Sequence, residues 1–527
     1  MMSSNQNLKD LQWSQQAINM MENQNLHSIS FHLSQPTSTC YQETNNSINI
    51  NISKQNQQHF SNLLATLASC HHTNSTLKNL EFHTVEWDSQ QVKNLGTLLS
   101  NHSIKQVVFR RNRFNGKTML DLSDILKENK MVKEIMFSES CIGSVGACLL
   151  ASSLMVNHSL EELQIWEDSI GSRGAEEISK MIEVNPSLKL LTIFDSNYIT
   201  ATPLISAVLA RNRTMEVHVW SGDQNGERSS KVVEFVPGNN TLRIYKLNFS
   251  GTCRVACSLG MNFTVKSLDM TGVKIKSKCA KEFRWVLEQN QTLKEVNFSR
   301  TCLKDKGIVY IAAGLFKNHS LQKLHVAGNW FRGIGVEHLL CPLSRFSSLQ
   351  MQANTSLKCV TLGGGRTRIG RDGLMAITQF LLTNETVTRF GIHDDECLKP
   401  DDFVKIFKSL EKNASLKCLS LQGCKGVQGE MLLQTIMETL QINPWIEEID
   451  LTRTPLHNSG ESIGIYQRLG QNENPEPEMD LIKDMPLTEP KSCRVFFCGQ
   501  EYAGKVEYLY LMLSYQLISR NIALKYK

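Results

Sequence analysis

The segment most able to do chemistry lies near the C-terminal end of the sequence. Arg494-Val-Phe-Phe-Cys reads as a buried strand and runs into Gly499-Gln-Glu-Tyr-Ala-Gly504-Lys505. A strand feeding Gly-x-x-x-x-Gly-Lys is the start of a phosphate-binding loop: the glycines let backbone amides approach phosphate, and the lysine reaches the terminal phosphates. Gly499, Gly504 and Lys505 are therefore the candidate cofactor-binding residues. The next residue should carry a hydroxyl for the magnesium ion, and it is Val506. Beyond it, residues 507–527 amount to 21 residues, whereas a G domain requires roughly 150. The expectation is a vestigial loop, no GTP hydrolysis and no bound cofactor. The alternative is a regulator whose tail still engages GTP and magnesium. In the first case the apolar strand around Val495 to Phe497 would lack sheet partners and be prone to aggregate.

Other chemistry-bearing residues are scattered. The 15 cysteines show no paired zinc spacing, and Cys253 and Cys257 have no second ligand pair. Cys70-His71-His72 points neighbouring side chains in different directions, so no metal site is expected. No Ser/His/Asp or Cys/His set stands out, and no catalytic residue is assigned. His325 and His393 fall on outward strand positions, where a solvated or partner-facing role is commoner than catalysis.

The elements that position these residues come from a repeat. Residues 157–165 read Asn-His-Ser-Leu-Glu-Glu-Leu-Gln-Ile, and residues 290–298, 318–326, 413–421 and 443–451 share the same form. The lead asparagines are Asn74, Asn101, Asn129, Asn157, Asn185 and Asn212, spaced by 27 or 28. Asn262, Asn290 and Asn318 come next at 28, then Asn354, Asn384, Asn413 and Asn443 at 36, 30, 29 and 30. Each unit opens with strand-like alternation and continues with helical spacing, as in Val309, Ala312, Ala313 and Phe316. Glycines such as Gly146, Gly174, Gly307 and Gly373 are expected to open the helix, and the lead Asn to close it in the left-handed conformation. One strand and one helix per ~28 residues is a long leucine-rich repeat, stable only through its neighbours. The chain resembles the ribonuclease-inhibitor-like class of such repeats. The implied fold class is an α/β solenoid with a curved parallel sheet on the concave side and helices on the convex side.

The repeat explains other features. Asn-x-Ser/Thr at Asn74, Asn101, Asn157, Asn318 and Asn413 would read as glycosylation acceptors in a secreted chain. Here these residues join helix to strand, and the opening MMSSNQNLKDLQWSQQ lacks a signal-peptide apolar run. Gly363-Gly-Gly-Arg-Thr-Arg-Ile-Gly370 is expected to be a lengthened turn, without the Lys-Ser/Thr ending of a phosphate loop. Residues 212–263 keep weak strands at Val217, Val219, Leu247 and Phe249 but lose the helix around 221–238. Ahead of the array, residues 10–20 suit a capping helix, 26–31 and 48–52 edge strands, and 60–67 a helix. The domains expected are a cap over 1–73, the array over 74–472, a linker over 473–492 and a truncated G-domain start over 493–527.

With 56 Lys+Arg against 51 Asp+Glu, net charge +5, bulk-charge binding to nucleic acid or to a membrane surface is not expected. No membrane span is expected either; the best window, 506–524, holds Glu507 and Arg520. The partner expected is a protein on the concave face. Trp166, Phe194 and Trp220 end three successive strands there, flanked by His83, Arg110 and Ser138 before and by Ser250 and Thr271 after. Strands ~4.8 Å apart would stack the rings into a ladder, the kind of cluster where binding energy concentrates.

A repeat array preceding a G-domain start resembles the Roc-containing proteins, in which leucine-rich repeats precede a Ras-like Roc domain. Asn5-Gln-Asn-Leu-Lys-Asp-Leu-Gln-Trp, Ser30-Phe-His-Leu-Ser-Gln-Pro-Thr-Ser and the 494–505 segment resemble, more narrowly, a plant developmental group of this architecture. That resemblance implies a cytoplasmic assembly protein in leaf and root patterning and auxin-dependent growth, here truncated at the start of the G domain.

Overall fold

The computed structural model describes residues 28–457, apart from 35–39, 45–46, 54–56, 70–75, 102, 167, 195–200, 212–214, 222–229, 238–239, 246, 248, 345–353 and 365–366, together with residues 19 and 494–496. Gly499, Gly504, Lys505, Val506, the window 506–524, Cys70-His71-His72 and, residue 19 apart, the proposed cap helix lie outside the described residues. The chain divides into two compact units, Met1–Ser258 and Leu259–Lys527.

In the first unit the repeat dictates a parallel sheet. Its strands are β1 (Ser28–Ser34), β2 (Cys40–Thr44), β3 (Ser47–Ser53), β4 (Asn79–His83), β5 (Gln106–Arg110), β6 (Glu134–Ser138), β7 (Glu162–Trp166), β8 (Leu190–Phe194) and β9 (Glu216–Ser221). β4 to β9 pair in parallel and in register, Leu80 against Val107, Ile135, Leu163, Leu191 and Val217. Alternate residues face the helices: Leu160, Leu163 and Ile165 are buried together, as the repeat requires. The first strands depart from the expectation of edges. β1 is interior, pairing in parallel with both β3 and β4, while β2 is the last strand at this end among the described residues, antiparallel to β3. Phe31, Phe82, Phe109 and Phe137 stack along this end of the core at centroid distances of 5.2, 5.7 and 5.1 Å.

The irregular stretch is a β-meander. β9 pairs antiparallel with β10 (Ser230–Val236), which pairs antiparallel with β11 (Thr241–Ile244). Val217 and Val219 are buried strand residues, as expected. Leu247 and Phe249 are not: Leu247 comes after β11, and Phe249 opens the helix Phe249–Gly260 with Ser250. The alternating apolar residues Val233 and Phe235 replace the missing helix by pairing with β9 and β11 instead.

In the second unit β12 (Ser267–Asp269), β13 (Glu295–Asn297), β14 (Lys323–His325), β15 (Cys359–Gly363), β16 (Arg389–His393), β17 (Cys418–Ser420) and β18 (Glu448–Asp450) form the parallel ladder. The 36-residue spacing from Asn318 to Asn354 is taken up by a short 3-10 helix, Cys341–Leu343, and residues 345–353. Gly363 and Gly364, at φ 94° and 92°, make the lengthened turn. A Cβ on Gly364 would come within 2.4 Å of the Gly328 nitrogen, so backbone approach rather than phosphate explains these glycines. The apolar strand near the C-terminus corrects the expectation that it lacks partners. β19 (Arg494–Phe496) pairs in parallel with β18, Val495 opposite Ile449, because β18 presents an unpaired ladder to any extended segment.

Among the described residues the lead asparagines are not left-handed caps. Asn129, Asn185, Asn290, Asn384 and Asn443 end their helices in extended backbone, for example Asn129 at φ −70° and ψ 129°. Their side chains explain the residue type. Asn157 Nδ2 donates to Leu126 O (2.6 Å) and Asn129 O (2.8 Å), and its Oδ1 accepts from the Ser159 and Leu160 amides, both at 2.9 Å. Asn185 repeats this on Asn157, and Asn290, Asn318, Asn413 and Asn443 do so in the second unit. An amide serves because it has two donors and an acceptor for backbone groups that the turn leaves unmatched. Asn157, Asn318 and Asn413 are buried, which leaves no room for a glycan. The helices begin at Gly143 and Gly171, three residues before Gly146 and Gly174, which mark close packing instead. A Cβ on Gly174 would meet Ala147 Cβ at 2.8 Å. The fold is an α/β leucine-rich-repeat solenoid.

Candidate protein-binding face

Alternation places the x positions of each Leu-x-Leu strand on the helix-free face of the sheet, the one expected to be concave. In the first unit this face has three rows. The outermost continues His83, Arg110 and Ser138 in register to Trp166, and Phe194 stands opposite Trp220. Of the expected flanks, Ser250 lies in a helix, and the Thr271 amide is turned onto Asp269.

The three rings come together, but not as three equal rungs. Trp166 lies 6.4 Å from Phe194 and 6.3 Å from Trp220, between ring centroids. The two indoles thus meet each other across the intervening strand. Phe194 is only 5% exposed, a buried floor rather than a contact surface, while Trp166 and Trp220 are half-buried. Trp166 Nε1 donates to Gln164 Oε1 at 3.2 Å, which fixes its indole to the middle row.

The first row carries Glu134, Glu162, Leu190 and Glu216 in register. Sequence reasoning missed it, although a Glu opening the strand motif in three of four successive units was visible. Burial raises the Glu162 carboxyl above its ordinary value, and Glu134, Glu161 and Glu216 push it the same way. Lys133 and Lys189 are drawn to Glu161 instead, at 3.3 and 2.5 Å. In the middle row, His218 Nε2 meets Glu216 Oε1 at 2.6 Å, and its Nδ1 lies 3.5 Å from Glu234 of the unforeseen hairpin.

The same face of the second unit carries two ion pairs together with Asp269 and Asp450, which accept hydrogen bonds from Thr271 and Ser420. Lys323 pairs with Glu295 at 3.0 Å and Arg389 with Glu448 at 3.7 Å. His325 Nδ1 meets Thr361 Oγ1 at 2.9 Å, and His393 Nε2 meets Ser420 Oγ at 3.1 Å. Burial lowers the affinity of both imidazoles for a proton. Ser420 donates to Asp450 Oδ2 at 3.0 Å, so its proton points to the carboxylate and not to His393. That is the wrong order for a nucleophilic triad. Among the described residues no cluster of three or more His, Cys, Asp or Glu could hold a metal ion. Cys424 is buried, and its thiol is pushed up to about 12. Among the described residues no helix is long and apolar enough to cross a membrane.

A Leucine Rich repeat family model matches residues 289–312 and 317–340. The chain is 60% identical over 506 residues, 95% of its length, to Protein TORNADO 1 of Arabidopsis thaliana, and spans 37% of that relative. Solved structures with some likeness include the actin-binding site 2 of leiomodin-1 (17% identity, 32% of this chain and 90% of that one, TM-score 0.26). The tropomodulin C-terminal domain of Caenorhabditis elegans (17%, 32% and 93%, TM-score 0.25) and the yeast Rad7–Elc1 complex (13%, 86% and 91%, TM-score 0.28) are similar to the same degree. TM-scores this low carry no argument about partners. The sequence match, the repeat match and the ladder of parallel strands lead to one conclusion: the chain is a TORNADO 1-like leucine-rich-repeat protein.

Proposed function

We propose that the chain is a non-catalytic scaffold that binds a protein partner on the helix-free face of its first unit. The observation that carries this reading is the Trp166–Trp220 pair, two large half-buried rings held 6.3 Å apart on a sheet face. Tryptophan concentrates binding energy because it brings a large rigid apolar area at small entropic cost. Phe194 supports the pair from below. The relative's likeness extends the proposal to a cytoplasmic role in leaf and root patterning and auxin-dependent growth. No catalytic constellation among the described residues argues for hydrolysis, and Val506 in place of the P-loop hydroxyl argues against GTP turnover.

The test is photo-crosslinking with a benzophenone amino acid placed at Gln164 or, on a helix, at Glu176. A plant protein crosslinked from Gln164 and not from Glu176 supports the proposal. Crosslinks from Glu176 alone overturn it. Calorimetry giving micromolar, magnesium-dependent GTP affinity would overturn the non-catalytic part and favour the nucleotide-regulated alternative.

A further inference from the structure

On the edge where strands run into helices, basic side chains of several turns are held by carboxylates. Arg111 meets Glu139 at 3.1 Å and Arg113 meets Glu86 at 3.5 Å in the first unit. In the second, Lys425 meets Glu396 at 2.7 Å and Arg453 meets Asp394 at 3.4 Å. The four turns that follow β12 to β15 differ. Residues 270–278, 298–306, 326–334 and 363–372 contain ten Lys and Arg against two acids, Asp305 and Asp372, and Asp269 at the end of β12 adds a third. Asp305 accepts from the Arg332 amide at 2.7 Å. Among the described residues no ion pair holds Lys274, Arg300, Lys304, Lys306, Arg332 or Arg371, and all six are exposed.

The fold does not ask for these residue types. The helices Ser277–Gln289, Asp305–Leu315 and Gly333–Leu340 are led by Lys276, Lys304 and Arg332, in extended backbone and with no side-chain cap. The favoured residue there is Asn, Asp, Ser or Thr, whose oxygen accepts from the first amides. Asn115 does this for the helix Gly116–Glu128. A cation in that place stands beside the positive end of the helix dipole and costs stability. Arg300 holds φ 57° where the corresponding turns use Gly272 and Gly328, a further cost for a residue with a Cβ. Residue types that oppose local preference need a reason outside the fold.

We propose that this edge of the second unit, over β12 to β15, docks an acidic segment of a protein partner, its Asp and Glu side chains meeting the exposed Lys and Arg. This is a second surface, independent of the tryptophan pair, and it goes beyond the scaffold reading. Spacing favours a protein segment. Packed helices lie ~8–10 Å apart, so the cations of successive units recur at about that distance. A segment in the polyproline conformation has three residues per turn at ~3.1 Å each, which sets every third side chain on one side about 9 Å apart. The phosphates of a duplex follow one another at ~3.4 Å along each strand, out of step with the helices. A carboxylate beside Lys304 or Arg332 also meets the helix dipole, so one charge serves both. Ile334 and Met375, exposed in the first two turns of adjacent helices, add apolar area that a protein segment can cover.

The experiment is fluorescence anisotropy on the full chain. The probe is a fluorescein-labelled peptide of Glu-Pro-Pro repeats, and the control peptide carries lysine in place of glutamate. The triple variant Arg300→Gln/Lys304→Gln/Arg332→Gln should weaken the glutamate peptide by about tenfold or more. The variant Arg111→Gln/Arg113→Gln/Lys425→Gln removes three charges from paired turns and should leave the affinity within about twofold of the parent. Lys274→Gln/Lys306→Gln/Arg371→Gln should weaken binding in the same way, so the proposal stays testable if the first triple fails to fold. Equal weakening by the paired-turn variant, equal binding of the lysine peptide or no binding of the glutamate peptide would overturn it. A single-stranded oligonucleotide of equal charge, and phosphatidylcholine vesicles with about one quarter phosphatidylserine, complete the set. Either of them bound more tightly than the peptide, and released by the first triple, would move the surface to nucleic acid or membrane and overturn the protein assignment. Loss of the tryptophan-dependent partner would leave this proposal untouched.

Discussion

Asn157 closes four backbone bonds that the turn would otherwise leave open, so its removal is costly. Asn157→Ala strands two buried carbonyls and two buried amides, those of Leu126, Asn129, Ser159 and Leu160. It should lower stability by about 2–4 kcal/mol in urea denaturation. A loss under ~1 kcal/mol would mean that water replaces the side chain. Asp168 is the titrating counterpart. It is buried, and burial raises its carboxyl to about 6 even though it accepts from the Ser140 and Ile142 amides at 3.1 Å. A carboxyl raised on folding favours the native state below its unfolded value and loses that contribution as pH rises through the folded one. The urea midpoint of the parent relative to Asp168→Asn should therefore fall between about pH 4 and pH 6.5, and a flat difference would refute it. Glu81 acts in the opposite direction and in a lower window. Its hydrogen bond from His83, with Arg110 beside it, lowers its carboxyl to about 2.

The strands and helices were legible because the repeat states both periods in each unit. Leu163 and Leu324 fill the same position of the repeat phrase in residues 157–165 and 318–326, and both are fully buried. Leu163→Ala should cost about 2–5 kcal/mol in the same denaturation series, since a packed solenoid core cannot close over the void. The elements that were not legible share a cause: they depend on pairing between segments far apart in sequence. The interior place of β1 is set by β3 and β4 together. The β9–β10–β11 meander replaces a helix whose apolar spacing is missing, and Val233 and Phe235 alternate as a strand would. The extended backbone at the lead asparagines was misread because the helix end gave a sufficient local reason for Asn. The ladder from one unit to the next is the stronger reason, and only structure displays it. β19 found its partner on β18 because an open strand edge accepts any extended segment.

At the scale of the molecule, the aromatic cluster was found from sequence, but its arrangement and its acidic border were not. Strand register put Trp166, Phe194 and Trp220 on one face, as alternation demands. It could not foretell that the indoles would meet over a buried Phe194. The two classes of ring should therefore separate in experiment. Phe194→Ala leaves a void under both indoles and should lose about 3–5 kcal/mol of stability. Trp166→Ala truncates a half-buried ring and should change stability less while removing a contact. The scaffold account rests on that separation. Its most direct measurement is the affinity of the protein crosslinked at Gln164 for the folded Trp166→Ala chain, taken beside that chain's thermal midpoint. The account predicts binding weaker by ~2 kcal/mol or more with a midpoint within a few degrees of the parent. Parental affinity in a chain whose midpoint has collapsed would contradict it and make the tryptophan a structural residue.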